Sequence, residues 1–150
     1  MKVSVEVKIQ GTKEDIWKAT TDIEHSDHMI SGIHKIEVLD KPETGFIGFK
    51  WRETRTMFGK EATEVMWVTE AEENVGYKTR AESHGAIYMS SFIIEERNDH
   101  CLLAMGFESQ AVSLMGKLMD GVFGKMMAKS TEKELLEDLE DIKRYIEKNA

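Results

Sequence analysis

Two carboxylates and a guanidinium fall on one alternating stretch, GFIGFKWRETRTMFGKEATEVMWV, residues 45–68. Every second residue from Ile47 gives Ile47, Phe49, Trp51, Glu53, Arg55 and Met57, the period of a strand with one buried face. Glu53 and Arg55 put charge into that face, and Glu64 follows on the next strand candidate. A carboxylate in an apolar setting has its pKa raised unless a cation holds it down, which suits a general base. A guanidinium beside it can polarise a carbonyl and stabilise an enolate. Glu53, Arg55 and Glu64 are therefore the candidates for catalysis, with Glu53 or Glu64 as base; the same groups equally suit anchoring of a ligand's polar end. Their setting has two readings, a sheet margin open to water or the polar lining of a partly wet cavity. Unpaired charge is prohibitive to bury, whereas a hydrogen-bonded pair is merely costly.

Other residue types with chemical potential are less organised. His25 and His28 lie three apart near Glu24 and Asp27, but no third ligand is set by spacing, so no metal is expected. His34, His84 and His100 open a strand or sit at turns, where surface roles are expected. Cys101 is the sole cysteine, which excludes an internal disulfide and a CxxC site and fits a small core hydrophobe. No GxSxG, HExxH, P-loop or dinucleotide signature occurs, and no cofactor is expected.

The bulk numbers narrow the class. One hundred and fifty residues is the size of one domain spanning 1–150, enough to bury about two thirds of the unfolded surface. A formal charge of −8 argues against nucleic acid as the main partner. No apolar run approaches the roughly 20 residues of a transmembrane helix. The N-terminus MKVSVEVKIQ alternates instead of forming a signal-peptide core, so a cytoplasmic location is expected.

The elements that must position the charged groups follow from pattern. Val3, Val5, Val7 and Ile9 alternate with polar residues as one strand. Gly11 ends it, and Thr12 with Asp15 makes a short-armed capping box for a helix whose inner face is Ile16, Ala19, Thr20 and Ile23. EHSDHMI reads as a second short helix. Six strand candidates follow, at about 33–39, 45–57, 61–71, 75–83, 86–97 and 100–109, separated by turn residues. Two-residue loops at Gly59-Lys60, His84-Gly85 and Asn98-Asp99 would pair Arg55 with Glu64, Thr79 with Ser90 and Phe92 with Met105. All three registers put Phe49, Trp51, Met57, Met66, Val68 and Tyr77 on one face with Tyr88, Phe92, Ile94, Leu103, Met105 and Phe107. Lys50, Arg52, Lys78, Arg80, Glu82, His100 and Glu108 take the other. A single-residue slip would exchange a hairpin's faces.

Residues 112–148 are helical in pattern, roughly 55 Å at full length. The first half carries Leu114, Met115, Leu118, Met119, Val122, Phe123, Met126 and Met127 together with Gly116, Gly121 and Gly124. Glycine costs about 1 kcal/mol each in a helix interior, and methionine suits irregular apolar surface, so this half is expected to form an adaptable wall; a Met-rich core without a ligand fits the same residues. The second half uses Leu135, Leu136, Leu139, Ile142 and Ile146. Its stripe lies nearly opposite the Met115/Met119/Val122/Met126 stripe on a helical wheel, and Thr131 with Glu134 could cap a new helix. A kink or break near 128–132 is expected. A seven-stranded antiparallel sheet with one apolar face needs a cover, and this terminal helix is the large apolar element left to supply it.

VKIQGTKEDIWKATTDIEH, GIHKIEVLD, GFKWRETRTMFGKEATEVMWVTEAEEN and the final helix resemble, in order and over nearly the whole chain, the START-like, polyketide-cyclase and lipid-transport superfamily (SRPBCC type). Members usually carry proline where this chain has Gly11. The resemblance implies an α+β helix-grip fold: a bent seven-stranded antiparallel sheet around a long C-terminal helix, with two short helices between strands 1 and 2. It implies a deep cavity between sheet and helix that often takes hydrophobic small molecules. Members include lipid carriers, quinone-binding proteins, plant-hormone receptors, polyketide aromatase/cyclases and chaperone-activating modules, without a shared catalytic set. What carries over is location on cavity-lining elements, for Trp51, Glu53, Arg55, Glu64, Tyr88, Ser90 and Met119. Met29, Met66, Met105, Met115, Met119 and Phe123 are expected to contact a ligand's apolar body. Trp51, Tyr77, Tyr88, Phe92 and Phe107 would form aromatic walls, with Glu53, Arg55, Glu64, Thr79 and Ser90 orienting its head. Binding or transport of a lipid, quinone or polyketide-like molecule is the leading expectation. An aromatase/cyclase- or dehydratase-like enzyme and a protein-interaction module are the alternatives.

Overall fold

The computed structural model describes residues 1–149; the side chains at 115, 116 and 118–123 lie outside the described residues, so the expectations for Met115, Met119 and Phe123 do too. Strand β1 (Lys2–Ile9) is followed by helix α1 (Lys13–Thr21) and a 3-10 helix (Ile23–His28). Then come β2 (Ile33–Asp40), β3 (Lys50–Met57), β4 (Lys60–Glu72), β5 (Gly76–Ser83), β6 (Ala86–Glu96), β7 (Cys101–Ala111) and α2 (Leu114–Asn149). The strands form one antiparallel sheet in the order β1-β7-β6-β5-β4-β3-β2. The sheet closes on α2, the helix-grip arrangement expected.

Local chemistry explains the connections. Thr12 Oγ1 accepts from the Asp15 amide at 3.1 Å and starts α1, whose Ile16 and Thr20 are buried. His84 and Gly85 both have positive φ, the geometry of a type I′ hairpin turn, and the register is as expected, with Thr79 opposite Ser90. The β6–β7 register also agrees, with Phe92 opposite Met105.

Two expectations fail in instructive ways. In the β3–β4 hairpin the left-handed pair is Phe58-Gly59, not Gly59-Lys60. Arg55 therefore faces Ala62, and Glu53 faces Glu64. Moving the loop by one position shifts the cross-strand partner by two, so the faces survive while the Arg55–Glu64 pairing does not. Upstream, β3 begins at Lys50 rather than 45. Gly45 and Gly48 turn the chain at positive φ, leaving Ile47 57% exposed while Phe49 stays in the ladder by accepting from the Val68 amide at 2.9 Å.

Helix α2 runs unbroken from Leu114 to Asn149, so the break near 128–132 does not occur. Thr131 lies buried inside the helix, its hydroxyl directed to the Met1 sulfur at 3.8 Å rather than to a cap. Leu135, Leu139, Ile142 and Ile146 pack with Val3, Val7, Ile9, Leu103 and Met105 in the main core. Hydrogen bonds clasp this half: Glu147 accepts from the Gln10 amide at 2.9 Å, and Asp141 from the Ser31 amide and hydroxyl at 2.9 and 2.8 Å. A second core of Ile23, Phe49, Trp51, Val68 and Tyr77 lies at the β2–β5 side.

Candidate functional site

Between α2 and the concave face of the sheet is a hollow in two compartments. The larger, about 560 Å³, is lined by Glu53, Arg55, Glu64, Met66, Thr79, Tyr88, Ser90, Met105 and Phe107 from β3 to β7 and by Met127, Thr131, Leu135 and Asp138 from α2. The smaller, about 100 Å³, continues inward to Met29, Trp51, Tyr77 and Phe92. Glu53, Arg55, Met66, Thr79, Ser90, Met105 and Asp138 border both. The charged residues thus stand at the waist of the hollow, on the inner surface, not at a margin facing bulk water.

The waist is an ionic triad. Arg55 Nη2 donates to both oxygens of Asp138, at 2.8 and 2.9 Å, and Nη1 donates to Glu53 Oε2 at 3.3 Å. Trp51 Nε1 donates to the other Glu53 oxygen at 3.3 Å. Strand alternation brings Trp51, Glu53 and Arg55 to one face, and helical spacing brings Asp138 over them, one turn from Leu135 and Ile142. Gly32 leaves room for the guanidinium: a Cβ there would stand 3.2 Å from Arg55 Nη2.

Burial sets the electrostatics. It pushes the Glu53 carboxyl above its ordinary range, against the pull of Arg55 and the Trp51 hydrogen bond. It lifts Asp138 to about 6, again opposed by Arg55 and aided by Glu53 and Glu134. For Arg55, burial works against the charged form, but Asp138 and Glu53 outweigh it and the guanidinium is held more firmly protonated. On the neighbouring strand Glu64, opposite Glu53 in the ladder, accepts from the Ser83 hydroxyl instead of from Arg55. The Tyr88 phenol is pushed up by burial and by Glu64. Tyr77 is pushed up by burial too, its hydroxyl donating to the Thr20 carbonyl at 2.8 Å.

Asp138 is the site residue that sequence reasoning missed. A signal existed: in ELLEDLEDIKRYIEK it falls on the buried arc with Leu135, Leu139 and Ile142, and a carboxylate inside an apolar helical stripe calls for a partner. The 3-10 helix contributes Ile23 and Ser26 to the smaller compartment, but its histidines do not line it: His25 bonds Asp22 at 2.8 Å on the surface. Among the described residues no group of three or more metal-ligating side chains gathers.

The family model described as "Polyketide cyclase / dehydrase and lipid transport" matches residues 1–147. The chain belongs to this family. Its fold is shared by solved structures at low identity. A protein from Thermus thermophilus, TTHA0849, superposes with a TM-score of 0.82 at 12% identity, covering 100% of this chain and 99% of that one. The Zhui aromatase/cyclase from a Streptomyces species gives 0.78 at 14%, covering 99% and 94%. A START superfamily protein from Mycobacterium smegmatis gives 0.66 at 19%, covering 88% and 94%. No curated protein matches the chain. Among the described residues no helix is long and apolar enough to cross a membrane.

Proposed function

We propose that this member of the polyketide cyclase/dehydrase and lipid transport family binds and carries a hydrophobic small molecule in the hollow between sheet and α2, without transforming it. The observation that carries the reading is the commitment of Arg55. Both terminal nitrogens already donate to Asp138 and Glu53, so the guanidinium charge is matched by two carboxylates instead of being held for a developing enolate, which needs donors preset on the reacting oxygen. A hollow of about 560 Å³ lies within the range of small-molecule sites, and its walls of Met66, Met105, Tyr88 and Phe107 offer apolar contact. Met29, Trp51, Tyr77 and Phe92 would meet the deeper end of the ligand, and Thr79 and Ser90, opposite each other across β5 and β6, its polar groups. On sequence grounds we also propose one domain and a cytoplasmic location.

Native mass spectrometry of protein purified from cells, with thermal shifts across a lipophile set, tests this. A co-purified or stabilising lipophile is expected; an empty spectrum with no shift would count against it. An aromatase/cyclase- or dehydratase-type reaction is the second reading, favoured by one observation: a carboxyl lifted to about 6 at the waist, Asp138, is poised as a base near neutrality. Glu53→Gln and Asp138→Asn separate the two, since a carrier keeps its ligand and an enzyme loses turnover.

A further inference from the structure

The charge lining the larger compartment is unbalanced. Glu53, Glu61, Glu64, Glu134 and Asp138 line it, against the guanidinium of Arg55, the amino group of Met1, which donates to the Ser109 carbonyl at 3.1 Å, and the imidazole of His84, which stands exposed on the β5–β6 turn. Arg55 is already matched by two carboxylates, so its charge is compensated before any guest arrives, and its Nε is buried without a hydrogen-bond partner. The remaining polar groups of the lining are carboxylates and hydroxyls, among them those of Thr79, Tyr88, Ser90 and Thr131, so the charge that faces the hollow is negative while the neutral groups donate or accept. Ionised carboxylates accept hydrogen bonds and never donate, and each oxygen has more than one acceptor site. Asp138, Glu53 and Glu64 therefore retain acceptor capacity beyond Arg55, Trp51 and Ser83.

Resting on the ligand-binding reading above, we propose that this hollow takes amphiphiles whose polar end donates hydrogen bonds, a hydroxyl, phenol or ammonium, and discriminates against carboxylates of the same size and shape. A donor head in the compartment that Glu64 on β4 and Asp138 on α2 both line meets one half-buried and one buried acceptor. An anionic head at the same place leaves water for a pocket where the described cations are matched, bonded to a backbone carbonyl or exposed at the rim, and it meets carboxylates instead. The desolvation of such a charge is compensated only by an opposite charge or by donors directed at it. The discrimination comes from the lining acids and not from pocket shape, so neutralising them individually should weaken it.

Isothermal titration at pH 7.5 and moderate salt with four ligands of one ring size tests this: naphthalene, 2-naphthol, 2-naphthylmethylamine and 2-naphthoate. The expected result is that naphthol, the amine or both bind at least tenfold more tightly than naphthoate. The two donor arms tell a neutral head from a cationic one. Naphthoate binding as tightly as both donor ligands overturns the proposal. Binding of naphthalene alone overturns it too but leaves the pocket standing; if naphthalene also fails, along with the lipophile set, the ligand-binding reading falls with it. In Glu64→Gln and Asp138→Asn the handicap of naphthoate should shrink several-fold. Glu64 is only partly buried, so its variant decides the matter should Asp138→Asn fold poorly, and an unchanged ratio in a folded Glu64→Gln protein contradicts the proposal.

Discussion

The two halves of α2 are both rich in apolar residues, yet they meet different surroundings. In the second half Leu139 and Ile142 are 0% exposed and belong to the main core. In the first half Leu114 is 87% and Met126 65% exposed. One uninterrupted helix cannot turn two opposed stripes toward the same sheet. The second half fills its share of the concave face, and the first half leaves the space that Met127 and Thr131 border.

The largest effect should come from the gripping half. Leu139→Ala removes a fully buried side chain and is expected to cost about 4 kcal/mol, as large-to-small core changes do. Met126→Ala should stay within about 0.5 kcal/mol, typical of exposed sites. Urea denaturation of the pair checks the contrast, and equal losses would break it.

The triad ties the second half of α2 to β3, and Arg55→Met should cost about 3 kcal/mol at neutral pH by leaving Glu53 and Asp138 buried without their cation. The sign of the pH dependence follows. Both carboxyls already stand above their ordinary values, and without Arg55 they rise further. A raised folded-state pKa gives stability that is fully present below the unfolded value, near 4, and is lost as pH rises through the folded one. The deficit of the variant should therefore be smallest near pH 4 and grow through pH 6 and above. Chemical denaturation at several pH values checks it, and a deficit independent of pH would contradict the burial of the triad.

A smaller effect is expected at the clasp. Asp141→Ala loses two hydrogen bonds from Ser31 and should cost about 1 kcal/mol. Burial pushes the Asp141 carboxyl up, but the Ser31 bonds and Arg144 hold it below its ordinary value, so its contribution fades as pH falls through that lowered value. Lys125→Ala, on the exposed stretch of the first half, should be silent within about 0.5 kcal/mol.

Much of this was legible in the residues. Strand alternation and turn composition located the seven strands, and His84-Gly85 and Asn98-Asp99 set registers that put Thr79 beside Ser90 and Phe92 beside Met105. Phe58 at φ 52 was not legible, because an aromatic residue rarely takes the left-handed region; its presence there moved Glu64 from Arg55 to Ser83. Asp138 was hidden for another reason. Its partner is 83 positions away across the hollow, and helical periodicity shows that a carboxylate lies on the inner face without showing what it meets. A wheel sets the stripes of α2 apart, but it does not say whether the chain breaks between them or stays continuous, as it does here.

The central claim is that the interior is hollow and receives an apolar guest. The direct measurement is a titration of protein carrying 13C-labelled methionine methyls with naphthalene, followed by NMR. Met66 and Met105, which line the hollow, should shift with saturation, while Met89, opposite Arg80 and Glu108 on the outer face, and the exposed Met126 should stay in place. Motionless Met66 and Met105 signals, or shifts confined to Met89 and Met126, would contradict the account.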